Sequence, residues 1–192
     1  MTRPARSRRR RPVDPDGQPP PGDPEQHPGD PDTVARTICL RLLTLRARSR
    51  AELADALAAR DVPEDAATRV LDRFAEVGLI DDAALAASLA GAQHRERGLA
   101  RRAVAAKLRQ RGLADELDGA LSSIDSDSER IRARELVDRR RRALAGLPAE
   151  VQARRLVSLL ARKGYPSGMA YAIVREALAA EPGWDADDAL ST

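Results

Sequence analysis

The stretch from His94 to Ala114, HRERGLARRAVAAKLRQRGLA, holds seven Lys or Arg side chains against one acid, Glu96. Cations with so few carboxylates near them can do one kind of chemistry, which is to bind anions. At helical periodicity Arg102 and Arg109 fall on nearly one azimuth, and Lys107 and Arg111 form a second row one turn apart. Val104 and Leu108 supply a thin apolar stripe between them. The candidate contacts are therefore Arg95, Arg97, Arg101, Arg102, Lys107, Arg109 and Arg111. A later run adds Arg154, Arg155, Arg162 and Lys163. Surface ion pairs one turn apart are the plainer use for such residues. That use has less hold on Arg95–Arg111, where acids are nearly absent, than on Arg130–Arg142, where Glu135 and Asp138 can pair.

Other chemistries lack their residues. The chain carries no P-loop, no GxSxG, no HExxH and no paired Cys or His. The reading is of a protein that is not an enzyme and holds no cofactor and no metal. His94 follows Gln93 at a helix end beside Arg95 and reads as a solvated imidazole. Asp81-Asp82 is accounted for by helix capping. Cys39, the single cysteine, lies between Ile38 and Leu40 and reads as a buried, inert thiol. Base-specific reading has no support either: Asn and Gln are scarce, zinc-finger spacing is absent, and aromatic residues make up 2% of the chain. What remains is contact with a phosphate backbone, blind to sequence and sensitive to salt.

The elements that must carry these cations are helices. Ala and Leu dominate, few residues favour strands, and 33% of the chain is charged. Ser49-Arg-Ala-Glu52 and Ser126-Asp-Ser-Glu129 have the pattern of capping boxes. Pro63 suits a first helical position, Asp81 an N-cap, and Gly78 and Gly112 left-handed helix stops. Breaks fall at Gly146-Leu-Pro148 and Gly164-Tyr-Pro166. Tyr165, Met169, Tyr171, Ile173 and Leu178 read as core of the last helix.

The helices repeat. Leu57, Leu108 and Leu160 align, as do Asp61, Gly112 and Gly164, and then Val70, Leu121 and Ile173. Each copy has an earlier helix before it. The expected fold is all-α, a tandem and elongated array of three three-helix repeats at 33–80, 81–125 and 126–180. Cationic bands recur with that repeat, which suits a partner that is itself a charged lattice. Residues 1–32 hold nine of the thirteen prolines and read as a disordered, solvated tail. Residues 181–192 carry four acids and no Lys or Arg, and read as a loose acidic tail. No apolar run approaches membrane length, and no apolar segment follows the N-terminal arginines as a secretory signal requires. The expected location is the cytoplasm.

GLIDD at 78–82, the RG-x-A-R-R of 97–102 and the KLRQRG of 107–112 resemble the RecX family of regulators of the RecA recombinase. LTLRARSRAEL at 43–53 is similar to the segment that precedes GLIDD there. The likeness spans roughly 34–180 and rests on the order and spacing of short motifs. The family often has an aromatic residue soon after the double Asp, where this chain has Leu85. The resemblance implies tandem three-helix repeats, and a tandem repeat can use its own copies in place of subunits, so a monomer is expected. It implies binding to the RecA–DNA filament, with inhibition of recombination and a place in DNA repair and the SOS response. The competing reading is a winged-helix transcription regulator, since 49–80 also looks like a helix-turn-helix. That reading needs a β-hairpin after residue 80, where DDAALAASLAGAQ has helical periodicity instead.

Overall fold

The computed structural model describes residues 29–179, and every regular element among them is a helix. They are α1 (Pro31–Leu45), α2 (Arg50–Ala58), α3 (Glu64–Glu76), α4 (Asp82–Arg95), α5 (Arg101–Arg109), α6 (Leu117–Ala120), α7 (Ser126–Arg142), α8 (Ala149–Arg162) and α9 (Ser167–Leu178). The stretch a wing would need is α4, so the winged-helix reading falls. Residues 1–28 and 180–192, which take in most of the two expected tails, lie outside the described residues. Pro31 and Asp32 are not tail: they open α1, and Asp32 is held by Arg69 from α3 at 2.7 Å.

Local chemistry sets the helix ends. The Ser49 box is complete: the Glu52 amide donates to Ser49 Oγ at 3.1 Å, and the Ser49 amide donates to the Glu52 carboxylate at 3.1 Å. Asp81 caps α4 by accepting from the Ala84 amide at 2.8 Å. The box expected at Ser126 does not form. Asp125 is the N-cap of α7, accepting from the Ser128 amide at 2.8 Å, and that bond holds its carboxyl below the ordinary range. Glu129, the other half of the expected box, is used elsewhere. Pro63 stands one residue ahead of its expected place, as the N-cap of α3; Pro148 and Pro166 hold the same position before α8 and α9.

Three apolar clusters form the core, one for each successive trio of helices. Leu53, Leu57, Val70, Leu71 and Phe74 fill the first, around a fully buried Cys39 whose thiol pKa is raised by burial. Val104, Leu108, Leu113 and Ile124 fill the second; Leu156, Leu160, Tyr165, Ile173 and Leu178 the third. Burying one such leucine contributes about 1.5–3 kcal/mol. Leu57, Leu108 and Leu160 are each at most 1% exposed, so the aligned leucines do the same work in each cluster. Tyr171 departs from expectation: it is 42% exposed, on the outer face of α9, while Tyr165 takes the buried place. All the extensively packed helix pairs lie inside one trio, and contact between trios is thin.

Candidate anion-binding surface

The thin contacts between trios are two joints of one design. Residues 61, 112 and 164 end the middle helix of each trio in the left-handed region, with φ of 56°, 70° and 89°. At Gly112 a Cβ would overlap the Ala51 methyl, near the start of α2. At Gly164 a Cβ would come within 2.7 Å of the Ala103 methyl, near the start of α5. Both joints therefore need glycine for closeness as well as for its backbone angle. Asp61 closes α2, which no earlier trio meets among the described residues, and it carries a side chain.

Polar atoms complete each joint. Ser49 Oγ donates to the Arg111 carbonyl at 2.6 Å in the first; the Ala100 amide donates to the Lys163 carbonyl at 3.0 Å in the second. The first amide of α2, on Arg50, donates to the Asp82 carboxylate at 3.0 Å. The first amide of α5, on Arg101, donates to the Glu129 carboxylate at 2.7 Å. The C-terminal end of one middle helix thus meets the N-terminal end of the preceding one, so their opposite dipole ends are matched. In chain order α2, α5 and α8 are set head to tail.

Three of the expected contact residues are tied into this scaffold. Arg111 grips Glu52 through two nitrogens, at 3.0 and 2.7 Å. Burial pushes the Glu52 carboxyl up, but hydrogen bonds from Arg111, Arg46 and the Ser49 amide outweigh it and bring it down to about 2. Lys163 Nζ donates to the Arg97 carbonyl. Arg101 donates to the carbonyls of Leu121 and Ile124, bracing the second trio. All three side chains are only half-exposed. Their charge faces protein.

The rest face solvent. Arg95, Arg97, Arg102, Lys107 and Arg109 are exposed and form no ion pair among the described residues. Arg102 and Arg109 share one face of α5, opposite Val104, Ala105 and Leu108, which are buried. On α8, Arg154, Arg155 and Arg162 are exposed around Ser158 and Leu159. Together with Arg140 from α7 they line an open basin of about 600 Å³, with no acid in its walls among the described residues. Arg102 and Arg154 stand at matching places in the repeat, six residues before Leu108 and Leu160.

Sequence reasoning missed Arg140 as an individual. It lies in Arg139-Arg-Arg-Arg142, which wraps α7, and only the packing of α8 decides which arginine joins the basin. Its neighbour Arg141 turns the other way and donates to the Ala177 carbonyl at the end of α9, at 3.1 Å. Pairing with carboxylates is partial in this region: Arg132 meets Glu135 and Arg134 meets Glu176. His94 differs from expectation as well. It is 7% exposed, and its Nδ1 lies 2.8 Å from the Leu99 carbonyl. A carbonyl only accepts, so Nδ1 carries the proton and the ring pins the α4–α5 turn. Among the described residues no group of His, Cys, Asp and Glu could hold a metal ion, and no helix is long and apolar enough to cross a membrane.

The chain is similar to known proteins over this whole region. The first three-helix domain of RecX matches residues 35–74, and the second matches residues 81–117. The regulatory protein RecX of Thermobifida fusca is 51% identical over 77% of this chain and 80% of its own length. That of Streptomyces lividans is 52% identical over 80% of this chain and 82% of its own. The crystal structure of RecX from Lactobacillus salivarius superposes with a TM-score of 0.68 at 18% identity, covering 77% of this chain and 96% of that one, a likeness of fold.

Proposed function

The chain belongs to the RecX family of regulatory proteins, and from that premise we propose that it is a non-enzymatic modulator of the RecA recombinase that lies along the RecA–DNA filament and restrains it. The observation that supports this reading is the pair of exposed cationic faces on successive middle helices, which form no ion pair among the described residues. Arg102, Lys107 and Arg109 stand on α5, and Arg154, Arg155 and Arg162 stand with Arg140 on α8. A filament presents phosphates and protomers at regular intervals. Two weak faces joined by one scaffold bind such a lattice by effective concentration, without any single tight pocket. Contacts across neighbouring protomers then oppose turnover and strand exchange.

The three repeats at 33–80, 81–125 and 126–180 act as the structural units, and the chain works as a cytoplasmic monomer whose own copies replace subunits. Within the reading, Arg95, Arg97, Arg102, Lys107 and Arg109 make the central contact and the basin arginines the flanking one. Arg101, Arg111 and Lys163 act through the scaffold, by holding those faces in place.

The test reverses Arg102 and Arg109 to Glu and, separately, Arg154 and Arg162 to Glu. Filament binding and RecA ATPase are measured across a salt series. Each pair should weaken inhibition at least about tenfold and flatten the salt dependence. Unchanged inhibition by a folded double reversal removes that face from the contact.

A further inference from the structure

We infer that the four-arginine basin of α7 and α8 is the docking place of the chain's own acidic end, residues 180–192. That segment, AEPGWDADDALST, carries Glu181, Asp185, Asp187 and Asp188 and no Lys or Arg. The basin carries Arg140, Arg154, Arg155 and Arg162 and, among the described residues, no acid. Charge complementarity is therefore complete on both sides.

The fold keeps the two within reach of each other. α8 and α9 are joined by only four residues, 163–166, and α9 packs against both α8 and α7. Its last turn is fastened to α7 by the bond from Arg141 to the Ala177 carbonyl. The acidic segment follows directly on α9, which packs against both α7 and α8, and thirteen residues reach at most about 45 Å when extended. A tether this short holds the acids at roughly millimolar effective concentration, enough to make individually weak pairs persist.

The consequence rests on the anion-binding reading above. An internal polyanion on these arginines competes with a phosphate backbone for the same charges, so the tail raises the threshold at which the third repeat engages a filament.

Trp184 is the only tryptophan in the chain, so its fluorescence anisotropy reports the tail in the unlabelled, full-length protein. At low salt its anisotropy should be that of the folded body. It should fall in about 0.5 M salt, where the Debye length shrinks to a few ångströms. It should fall equally at low salt in R154E/R162E, and stay unchanged in R102E/R109E. Circular dichroism confirms that the variants keep their helices. In a second arm, D185N/D187N/D188N should bind oligo-dT about five- to tenfold more tightly, the factor expected if the tail fills the basin 80–90% of the time. The same substitutions should have no effect in the R154E/R162E background. Equal Trp184 anisotropy in the parent and R154E/R162E overturns the inference, and so does anisotropy that falls on dilution, which would seat the tail on a second copy. A Trp184 response with unchanged oligo-dT affinity keeps the docking and overturns the anion-binding reading of the basin instead.

Discussion

The joint between the first and second trios and the joint between the second and third share a skeleton and differ in what surrounds it. In each, a left-handed glycine closes one middle helix against the start of another, and an acid from the next trio caps the first amide there. The first joint is then held by a two-point ion pair, Arg111 to Glu52, whose side chains keep 24% and 20% of their surface in water. In the second, Tyr165 is buried and its hydroxyl donates to the Gly98 carbonyl at 3.2 Å. Gly98 itself lies against Leu136, where a Cβ would come within 2.8 Å. Backbone geometry makes the array, and side chains decide how each joint responds to its surroundings. The first adds an ion pair between side chains of the two trios; the second adds a buried phenol.

The shared skeleton should be the most costly thing to break. Gly112→Ala and Gly164→Ala each impose a strained backbone and a methyl overlap, for about 2–4 kcal/mol by thermal or urea melts. Gly78→Ala is the control. Gly78 has the same left-handed angle, φ 73°, with nothing within 4 Å of its would-be Cβ, so it should cost only about 1–2 kcal/mol. Equal costs at all three positions would mean that close approach plays no part in the joints. Because contact between trios is thin, the joint variants should also split the unfolding transition, while the control keeps it single.

Acid should separate the two joints. The folded Glu52 carboxyl titrates at about 2 against an ordinary 4.5. A lowered value means the stabilisation is fully present above about 4.5 and is lost as pH falls through about 2. Allowing for solvent screening, it is worth about 1–2 kcal/mol. Other carboxylates, Asp125 and Glu176 among them, are lowered too, so the readout is the difference between the parent and Glu52→Gln. That difference should shrink from pH 6 to pH 2 as hydrogen exchange at the first joint rises to match the variant. A difference that stays constant with pH would show that Glu52 acts by packing and not by charge.

The contrast between the joints also marks what could be read from the sequence. Features that depend on a few consecutive residues were legible: the Ser49–Glu52 box, the Asp81 cap, the left-handed ends at Gly78 and Gly112, and the leucines that recur with the repeat. Features that depend on distant partners were not. Arg111 meets Glu52 across 59 positions and Lys163 reaches Arg97 across 66, so both looked like free cations. Glu129 had the right spacing for a local box, yet it caps α5 across the joint, and Asp125 took over the local role. His94 looked solvated among charged neighbours, but the reversal at Gly98 brings the Leu99 carbonyl to its Nδ1. Of the candidate site, the exposed α5 face was visible from azimuth alone. The basin was half visible, because Arg154 and Arg162 share a face of one helix while Arg140 arrives from another.

The smallest effect is expected where the second joint is most buried. Tyr165→Phe keeps the ring in its apolar place and removes one hydrogen bond, so it should cost about 0.5–1.5 kcal/mol. Burial pushes the phenol up to about 12, with the Glu129 carboxylate adding to it. A raised value reverses the sign seen at Glu52: the contribution is complete below the ordinary value of 10 and is lost as pH rises through about 12. Between pH 3 and pH 9 the difference between parent and variant should therefore stay flat, where the Glu52 difference slopes at the acid end. A Tyr165→Phe difference that varied with pH in that range would mean that the phenol acts through the charges around it and not through burial and its one hydrogen bond, and the contrast with Glu52 would fail.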